Sequence, residues 1–250
     1  RTSDSSILAA LPGSLVGISF CGSRALQKPE EALFADTGFP SVSRGLHGLF
    51  EELNNLPAPA PDEQYISRYY APETTEGADY RKERLFYTHE NALFIDAVRS
   101  RIEQMFPGLS AGDDYKRKCI LLAPLLYQAA THANTNGVFK AYHKGFGGHG
   151  GDALTRIMAP MQLQMPLTAP ALPGRIYGVS GLDAAGFAAQ NSGFDICYLD
   201  PPYNQHQYGS NYFMLNTIAR WDRPEVSMNY GADGRLKVKA GIRSDWTETK

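Results

Sequence analysis

The feature that most constrains the fold is an apolar run, residues 194–199, closed by two consecutive prolines. A short run that is apolar almost throughout, bounded by residues that cannot continue it, is typical of a strand buried on both faces. Proline fixes φ and has no backbone N–H, so Pro201 and Pro202 end the strand. We therefore expect an interior strand of a sheet that helices cover.

Strands and helices alternate at both ends of the chain. Near the start, the apolar run 15–20 predicts a strand, and a helical pattern follows the small-residue turn at 21–23. Near the end, the predicted order is strand, helix, strand, helix, at 175–179, 182–190, 194–199 and 211–221. Alternating strands and helices are typical of a parallel sheet, so the sequence predicts an α/β fold.

Between these ends, apolar residues recur at helical spacing. The first predicted helix, 42–56, ends where a proline-rich segment begins, and the second has Thr88 as its N-cap. The third, 113–133, contains Pro124, which predicts a kink. The predicted buried faces are Leu46, Leu49, Phe50 and Leu53 in the first helix, Phe94, Val98, Ile102 and Met105 in the second, and Leu122, Leu126 and Ala130 in the third.

The overall charge limits how the chain could hold a polyanion. Among 250 residues, 24 Lys and Arg stand against 26 Asp and Glu, a formal charge of -2. No global positive field results, so contacts to a nucleic acid have to be local. The cysteines, Cys21, Cys119 and Cys197, are odd in number and lack metal spacing, which indicates a reducing setting.

Two further features concern location and completeness. No apolar run approaches the roughly 20 residues of a membrane span, and no secretion signal opens the sequence. We therefore expect a cytoplasmic protein without membrane association. The chain opens on Arg1 and closes on Lys250 in a polar stretch, so we expect a piece cut at both ends from a longer protein.

A glycine-rich stretch, residues 134–151, is predicted to be a long functional loop. It interleaves aromatic rings with cations, the combination that stacks nucleobases and neutralises phosphates. The residues are Phe139, Lys140, Tyr142, His143, Lys144 and Phe146. A solvated loop without a partner is the alternative. The histidines at 132, 143 and 149 match no short metal motif, so we expect no metal site.

The motif Asp200-Pro201-Pro202-Tyr203 carries the clearest chemistry. It is expected about once in a thousand chains of this length, and it follows the predicted strand at the edge where α/β sheets bind ligands. Asp200 and the Pro201 carbonyl can accept both hydrogens of an aromatic NH2 group, which makes its nitrogen a better nucleophile. Tyr203 can stack on a flipped base. The alternative is a strand end with Asp200 as a turn cap.

Residues 195–226 resemble the motif IV region of Dam-like, D-twelve class DNA adenine N6-methyltransferases, and the resemblance extends to 83–88 and 133–139. It implies S-adenosylmethionine-dependent methylation of adenine N6 in DNA, on a Rossmann-like sheet with a mainly helical inserted target-recognition region. The implied parts are 1–57 and 173–250 as an incomplete core and 58–172 as the insertion. The implied catalytic residues are Asp200, Pro201, Pro202 and Tyr203.

The resemblance also implies a cofactor site. Its implied residues are Phe20, Gly22, Asp36, Asp183 and Asp200, with Asp183 facing the cofactor adenine and Asp36 the ribose. The family's second glycine in the first motif, which allows close backbone approach to the cofactor, is replaced here by Arg24. No counterpart of the family's opening lysine motif precedes Leu15. The first segment is therefore a degenerate cofactor motif.

The implied partners are DNA and a cognate restriction endonuclease, and the protein is expected to be a monomer. The predicted DNA contacts are Lys140, Tyr142, His143, Lys144, Asn204 and Tyr208. Asn211 and Tyr212 are equally consistent with base contact or with capping and packing. Two alternatives stay open: the same fold acting on RNA or a protein amide, and a binding-only remnant without turnover, which Arg24 favours.

Overall fold

A computed structural model describes residues 18–21, 45–108, 113–148, 150–166, 177–180, 184–191, 196–198, 208–234 and 236. Two strands are seen there, β1 (Ile18–Cys21) and β2 (Tyr177–Ser180). The helices in the described part are α1 (Gly45–Asn54), α2 (Ile66–Tyr70), α3 (His89–Met105), α4 (Asp113–Thr131), α5 (Leu154–Met158), α6 (Ala184–Gln190), α7 (Tyr208–Asn211) and α8 (Phe213–Arg220).

The first two predicted helices are confirmed. In α1 all four predicted apolar residues are buried. Helix α3 begins where Thr88, in an extended conformation, accepts a hydrogen bond from the Asn91 backbone N–H at 3.2 Å. Its predicted stripe is buried except at Phe94, which is half-buried, while the neighbouring Ile95 is fully buried.

The buried face of α4 differs from the prediction. The helix runs through Pro124 without interruption, and its most deeply buried row is Leu121, Leu125 and Ala129. Ala130, which was predicted to be buried, is exposed. The two adjacent i, i+4 rows of this helix are both apolar, so periodicity did not distinguish them, and packing against α3 and α8 selected one.

One hydrophobic core joins α1, α3, α4 and α8. Its centre is aromatic: the Phe86 ring lies within 5.9–6.1 Å of the rings of Tyr70, Phe139 and Phe213, centroid to centroid. These tilted and edge-on arrangements suit the quadrupoles of the rings. Residues from the start, middle and end of the described chain therefore bury one another.

A buried arginine fastens α8 to α3. The Arg99 side chain is fully buried, and its guanidinium donates to the carbonyls of Ile218 (2.7 Å) and Ala219 (3.2 Å) at the carboxyl end of α8. It also pairs with Glu103 at 2.7 Å. A cation at a helix carboxyl terminus satisfies the orphan carbonyls and complements the helix dipole. Helix α8 then ends at Trp221, whose backbone is left-handed with φ 55°.

Two asparagines attach the segment 157–163 to the helices. Asn91 donates to the carbonyls of Ile157 and Ala159 and accepts from the Met161 backbone N–H. Asn54 makes a reciprocal pair of hydrogen bonds with the backbone of Leu163, at 2.9 and 2.7 Å. An amide side chain can imitate a strand edge in this way, so the segment needs no sheet to satisfy its backbone.

The described strands pair antiparallel, with Ile18 opposite Ser180 and Cys21 opposite Tyr177. The expectation of a parallel arrangement is therefore not met by this pair. Period-two patterns determine which residues share a face, but they carry no information on the direction of a partner strand about 160 residues away.

The predicted strand at 194–199 also differs where it is described. Residues 196–198 have no regular structure, and the side chains of Ile196 and Tyr198 are 86% and 82% exposed. An apolar run becomes an interior strand only when neighbouring strands pair with both of its edges. No such pairing is seen for these three residues. The prediction from their hydrophobicity that they are buried is therefore wrong.

Within the described ranges, no helix combines the length and the apolar character that crossing a membrane requires.

Candidate nucleic-acid interface

Most of the predicted catalytic and cofactor residues lie outside the described residues, as does the predicted DNA contact Asn204. These catalytic and cofactor residues are Gly22, Asp36, Asp183, Asp200, Pro201, Pro202 and Tyr203. Phe20 is described only as backbone in β1, and Tyr208 only as the first residue of α7. The predicted site residues whose surroundings the structure describes are therefore Lys140, Tyr142, His143 and Lys144.

These four residues lie in residues 134–148, which we call the cationic loop; its described residues form neither helix nor strand. The loop is held from inside by Asn134, which is fully buried. The Asn134 amide donates to the carbonyls of Leu85, His143 and Gly145 at 3.0–3.3 Å. Its backbone carbonyl accepts from the His143 N–H at 3.0 Å, which closes the loop on itself.

Phe139 is a core residue. Its side chain is 2% exposed and packs against the rings of Phe86 and Tyr87, at 6.1 and 6.4 Å between centroids. The prediction that its ring stacks on a nucleobase is therefore wrong, because the ring is buried in the hydrophobic core. The Phe139 backbone N–H donates to the Asn211 carbonyl at 2.7 Å, which joins the cationic loop to the end of α7.

Tyr142 anchors the loop at its other side. Its ring meets the ring of Phe86 edge-on at 5.1 Å, and its hydroxyl donates to the carbonyls of Glu83 (3.1 Å) and Tyr80 (3.4 Å). The side chain is half-buried. These contacts hold the segment 80–83 against the cationic loop. A contact of Tyr142 with DNA stays a prediction.

The cations of the loop face outward. Lys140 and Lys144 are exposed, and the Lys144 ammonium lies 5.8 Å from the centroid of the Tyr80 ring. His143 is half-buried with its ring beside Gly148, where an added Cβ would lie 3.3 Å from the ring nitrogen Nε2. The buried asparagine, phenylalanine and tyrosine thus present the two lysines to solvent on an ordered backbone.

A neighbouring basic segment was not predicted from the sequence. The guanidinium carbon of Arg81 lies 5.1 Å from the centroid of the same Tyr80 ring that Lys144 approaches. Lys82 follows it in the chain and is exposed, 3.8 Å from a carboxylate oxygen of Asp79. The motif Tyr-Arg-Lys shows the interleaving of ring and cation that identified the loop, and the same criterion would have found it.

The start of α8 and the end of α7 serve packing. Asn211 is 7% exposed and accepts from Phe139 through its carbonyl, and Tyr212 is half-buried against the core. For Asn211 the structure favours the packing alternative over direct base contact.

One buried carboxylate has a structural role. Asp96 accepts hydrogen bonds from the backbone N–H groups of Ile66 and Ser67 and from the Ser67 hydroxyl, at 2.7–2.9 Å, and so caps α2. Burial raises the pKa of Asp96 to about 6, although these three hydrogen bonds act in the opposite direction.

In the described part of the chain, no group of three or more His, Cys, Asp or Glu side chains is placed to hold a metal ion.

Comparison with known proteins identifies the class. Residues 180–242, which include the Asp200–Tyr203 motif, match the family described as D12 class N6 adenine-specific DNA methyltransferase. This match, together with the curated methylases described below, confirms the predicted resemblance to this family. The family implies an S-adenosylmethionine-dependent methyltransferase fold for the chain. No solved structure matches the chain significantly.

Three curated relatives make the comparison more specific. The chain is 32% identical to modification methylase LlaI of Lactococcus lactis subsp. lactis over 187 residues, which are 74% of this chain and 27% of that protein. It is 34% identical to type II methyltransferase M.NlaIII of Neisseria lactamica, over 78% of this chain and 49% of the relative. It is 37% identical to type II methyltransferase M.CviAII of Paramecium bursaria Chlorella virus 1, over 55% of this chain and 37% of the relative. The matched region thus spans about half or less of each relative.

Proposed function

We propose that the protein transfers a methyl group from S-adenosylmethionine to the N6 amino group of adenine in DNA. One structural observation supports the proposal most: the Phe139 N–H to Asn211 carbonyl bond places the cationic loop directly beside the segment that follows the Asp200–Tyr203 motif. A cationic surface that can bind a phosphate backbone is thus attached to the part of the chain that carries the family's motif.

In this proposal the motif holds the target amino group. The Asp200 carboxylate and the Pro201 carbonyl accept the two N–H hydrogens, which frees the nitrogen lone pair for attack. Pro202 restricts the backbone so that these acceptors stay oriented, and Tyr203 stacks on the extruded base. Removing the base from its stack costs a few kcal/mol, which stacking on the tyrosine partly offsets. Asn204 and Tyr208, next along the chain, contact the base or its sugar.

The methyl donor would be held by Phe20, Gly22, Asp36, Asp183 and Asp200, on a Rossmann-like sheet. S-adenosylmethionine supplies a methyl group already activated by a positively charged sulfur. The residues of the chain would orient the acceptor nitrogen towards it and exclude water. Arg24, in place of a glycine, reduces the space for close backbone approach at this site.

DNA binding is assigned to the cationic loop. Lys140 and Lys144, with His143 between them, would neutralise phosphates and so position the duplex without reading its sequence. The segment 58–172 is proposed to be the target-recognition insertion between two parts of a core, 1–57 and 173–250. We further propose a cytoplasmic monomer that protects DNA against a cognate restriction endonuclease.

The deciding experiment is a methyl-transfer assay with the full-length protein, adenine-containing DNA and radiolabelled S-adenosylmethionine. Asp200→Ala is expected to abolish incorporation while leaving DNA affinity within about twofold, because Asp200 acts on the flipped base and not on phosphates. Wild-type turnover by this variant would disprove the assigned role. Parallel reactions with RNA and with a glutamine peptide test the alternative acceptors.

A binding-only remnant is the second candidate, and Arg24 is the observation that favours it. Calorimetric titration separates the two. Binding of S-adenosylmethionine by the full-length protein supports the enzyme, whereas DNA binding without any cofactor binding supports the remnant. Restoring glycine with Arg24→Gly is then expected to increase cofactor affinity.

A further inference from the structure

We propose that residues 79–82, together with Lys144, form a second phosphate-contacting surface, which extends the DNA interface beyond the cationic loop. This inference rests on the proposed function, because it assigns further DNA contacts to the same interface. Arg81 and Lys82 would bind the DNA backbone, and the Tyr80 ring would hold the Arg81 and Lys144 side chains in position.

Side-chain contacts connect residues 79–82 to the cationic loop. The Tyr142 hydroxyl bonds to the carbonyls of Tyr80 and Glu83, and Lys144 of the cationic loop lies over the Tyr80 ring at 5.8 Å. The loop also bonds to Asn211 through Phe139. The loop that carries Lys140 and Lys144 is therefore attached both to the end of α7 and to residues 80–83.

The backbone at Arg81 is held by two hydrogen bonds. The Arg81 N–H donates to a carboxylate oxygen of Asp79 at 3.0 Å, and its carbonyl accepts from the N–H of the buried Leu236 at 2.9 Å. The backbone of Arg81 is thus held on both sides while its side chain is exposed. A cation that is already positioned loses less conformational entropy when it binds a phosphate.

The exposed cations of residues 79–83 and of the cationic loop are Arg81, Lys82, Lys140 and Lys144, and two half-buried carboxylates, Asp79 and Glu83, lie beside Arg81 and Lys82 in the chain. Glu83 accepts the backbone N–H groups of Glu73 and Asp79, so its carboxylate is held by hydrogen bonds within its own segment. The Lys82 to Asp79 pair is solvent-exposed at 3.8 Å, and such pairs contribute little and exchange readily.

The test is the salt dependence of DNA binding by the full-length protein. Fluorescence anisotropy with a labelled duplex, and with the same duplex of shuffled sequence, gives the slope of log affinity against log salt concentration. The variant is Arg81→Gln/Lys82→Gln. Arg68→Gln is the matched control, because Arg68 is also exposed and lies over a tyrosine ring, Tyr69, at 5.4 Å.

In the double variant, the magnitude of this negative slope is expected to decrease by about 0.9 for each phosphate that is no longer neutralised, equally on both duplexes. Arg68→Gln is expected to keep the wild-type slope. Charge reversal, Arg81→Glu/Lys82→Glu, is expected to weaken binding further. An unchanged slope in the double variant, with a reduced slope in Lys140→Gln/Lys144→Gln, overturns this inference and leaves the proposed function standing. A wild-type protein that binds no DNA overturns both.

Discussion

At the scale of single residues, a buried amide does more to organise the candidate interface than the exposed cations do. Asn134 bonds to three carbonyls from within the protein and closes residues 134–143 into a ring. The Leu85 carbonyl would otherwise be buried without this donor, which costs about 1–3 kcal/mol. An asparagine in a glycine-rich loop is ordinarily assigned to a turn, so its sequence context did not reveal this role.

Replacing Asn134 tests that role. Asn134→Ala is expected to lower the free energy of unfolding by about 2–4 kcal/mol and to increase amide hydrogen exchange at residues 135–146. Urea denaturation and exchange measurements give the two quantities. Asn55→Ala is the control, because that exposed asparagine makes one local bond to Glu51, and its effect is expected to stay within about 0.5 kcal/mol. Unchanged exchange in the loop would refute the assignment.

Asp96 predicts a specific pH dependence. Burial raises its pKa from 3.8 to about 6 in the folded protein, so between these values the folded state binds more protons than the unfolded state. The contribution of Asp96 to stability is therefore complete below about pH 4 and is lost as pH rises through 6. Relative to Asp96→Asn, the wild type is expected to lose unfolding free energy over that interval. Denaturation series at several pH values measure it.

An exposed carboxylate provides the comparison for Asp96. Asp62→Asn is the control substitution, because the Asp62 side chain is exposed. If Asp96→Asn changed the pH profile no more than this control does, the titration of the buried group would not contribute to stability.

At the scale of secondary-structure elements, α3 is the scaffold on which the others are assembled. It packs against α1, α2 and α4, and its Arg99 caps α8. Helix α8 follows the Asp200–Tyr203 motif in the chain, so the strength of this cap bears on how firmly the proposed catalytic segment is attached. A buried guanidinium with both carbonyl and carboxylate partners is expensive to disrupt.

We expect Arg99→Met to lower the free energy of unfolding by about 3–5 kcal/mol, since it leaves the carbonyls of Ile218 and Ala219 without a donor. The near-ultraviolet signal of Trp221, 5.4 Å from Arg99, is expected to change as well. Arg101→Met is the matched control: it removes a partly exposed pair with Glu52 from the same helix and is expected to cost about 1 kcal/mol or less. Equal losses in the two variants would contradict the capping role.

At the scale of the whole molecule, the described helices share a single core. Helix α1 lies within residues 1–57 and α8 within 173–250, yet both pack with residues of 58–172. The core therefore joins parts of the chain that the sequence assigned to three different segments. A destabilising mutation in α1 is therefore expected to lower the stability of α8 as well.

Unfolding experiments can detect this coupling. Leu49→Ala, in α1, is expected to lower the unfolding free energy by about 2–5 kcal/mol through the cavity that it leaves. Trp246→Phe leaves Trp221 as the remaining tryptophan, so its fluorescence reports on the end of α8. In this background, Leu49→Ala is expected to shift the unfolding transition measured by Trp221 fluorescence as much as the transition measured by helical circular dichroism. A Trp221 transition that does not move would mean that α1 and α8 unfold independently.

The sequence by itself determined the local features of this protein. Helices α1 and α3, the Thr88 cap and the irregular loop after α4 were all predicted correctly, because periodicity, capping and loop composition depend on residues near one another in the chain. The residues of the Asp200–Tyr203 region were also sufficient to predict the resemblance to the adenine methyltransferase family.

Tertiary structure alone decided which side chains of that loop are buried and which are exposed. Phe139 entered the core, Asn134 became the anchor, and Arg81 came to share the Tyr80 ring with Lys144. Strand direction in the β1–β2 pair and the buried face of α4 were decided in the same way. Burial and pairing depend on contacts between residues far apart in sequence, and a local pattern of ring and charge is the same whether its ring faces solvent or the core.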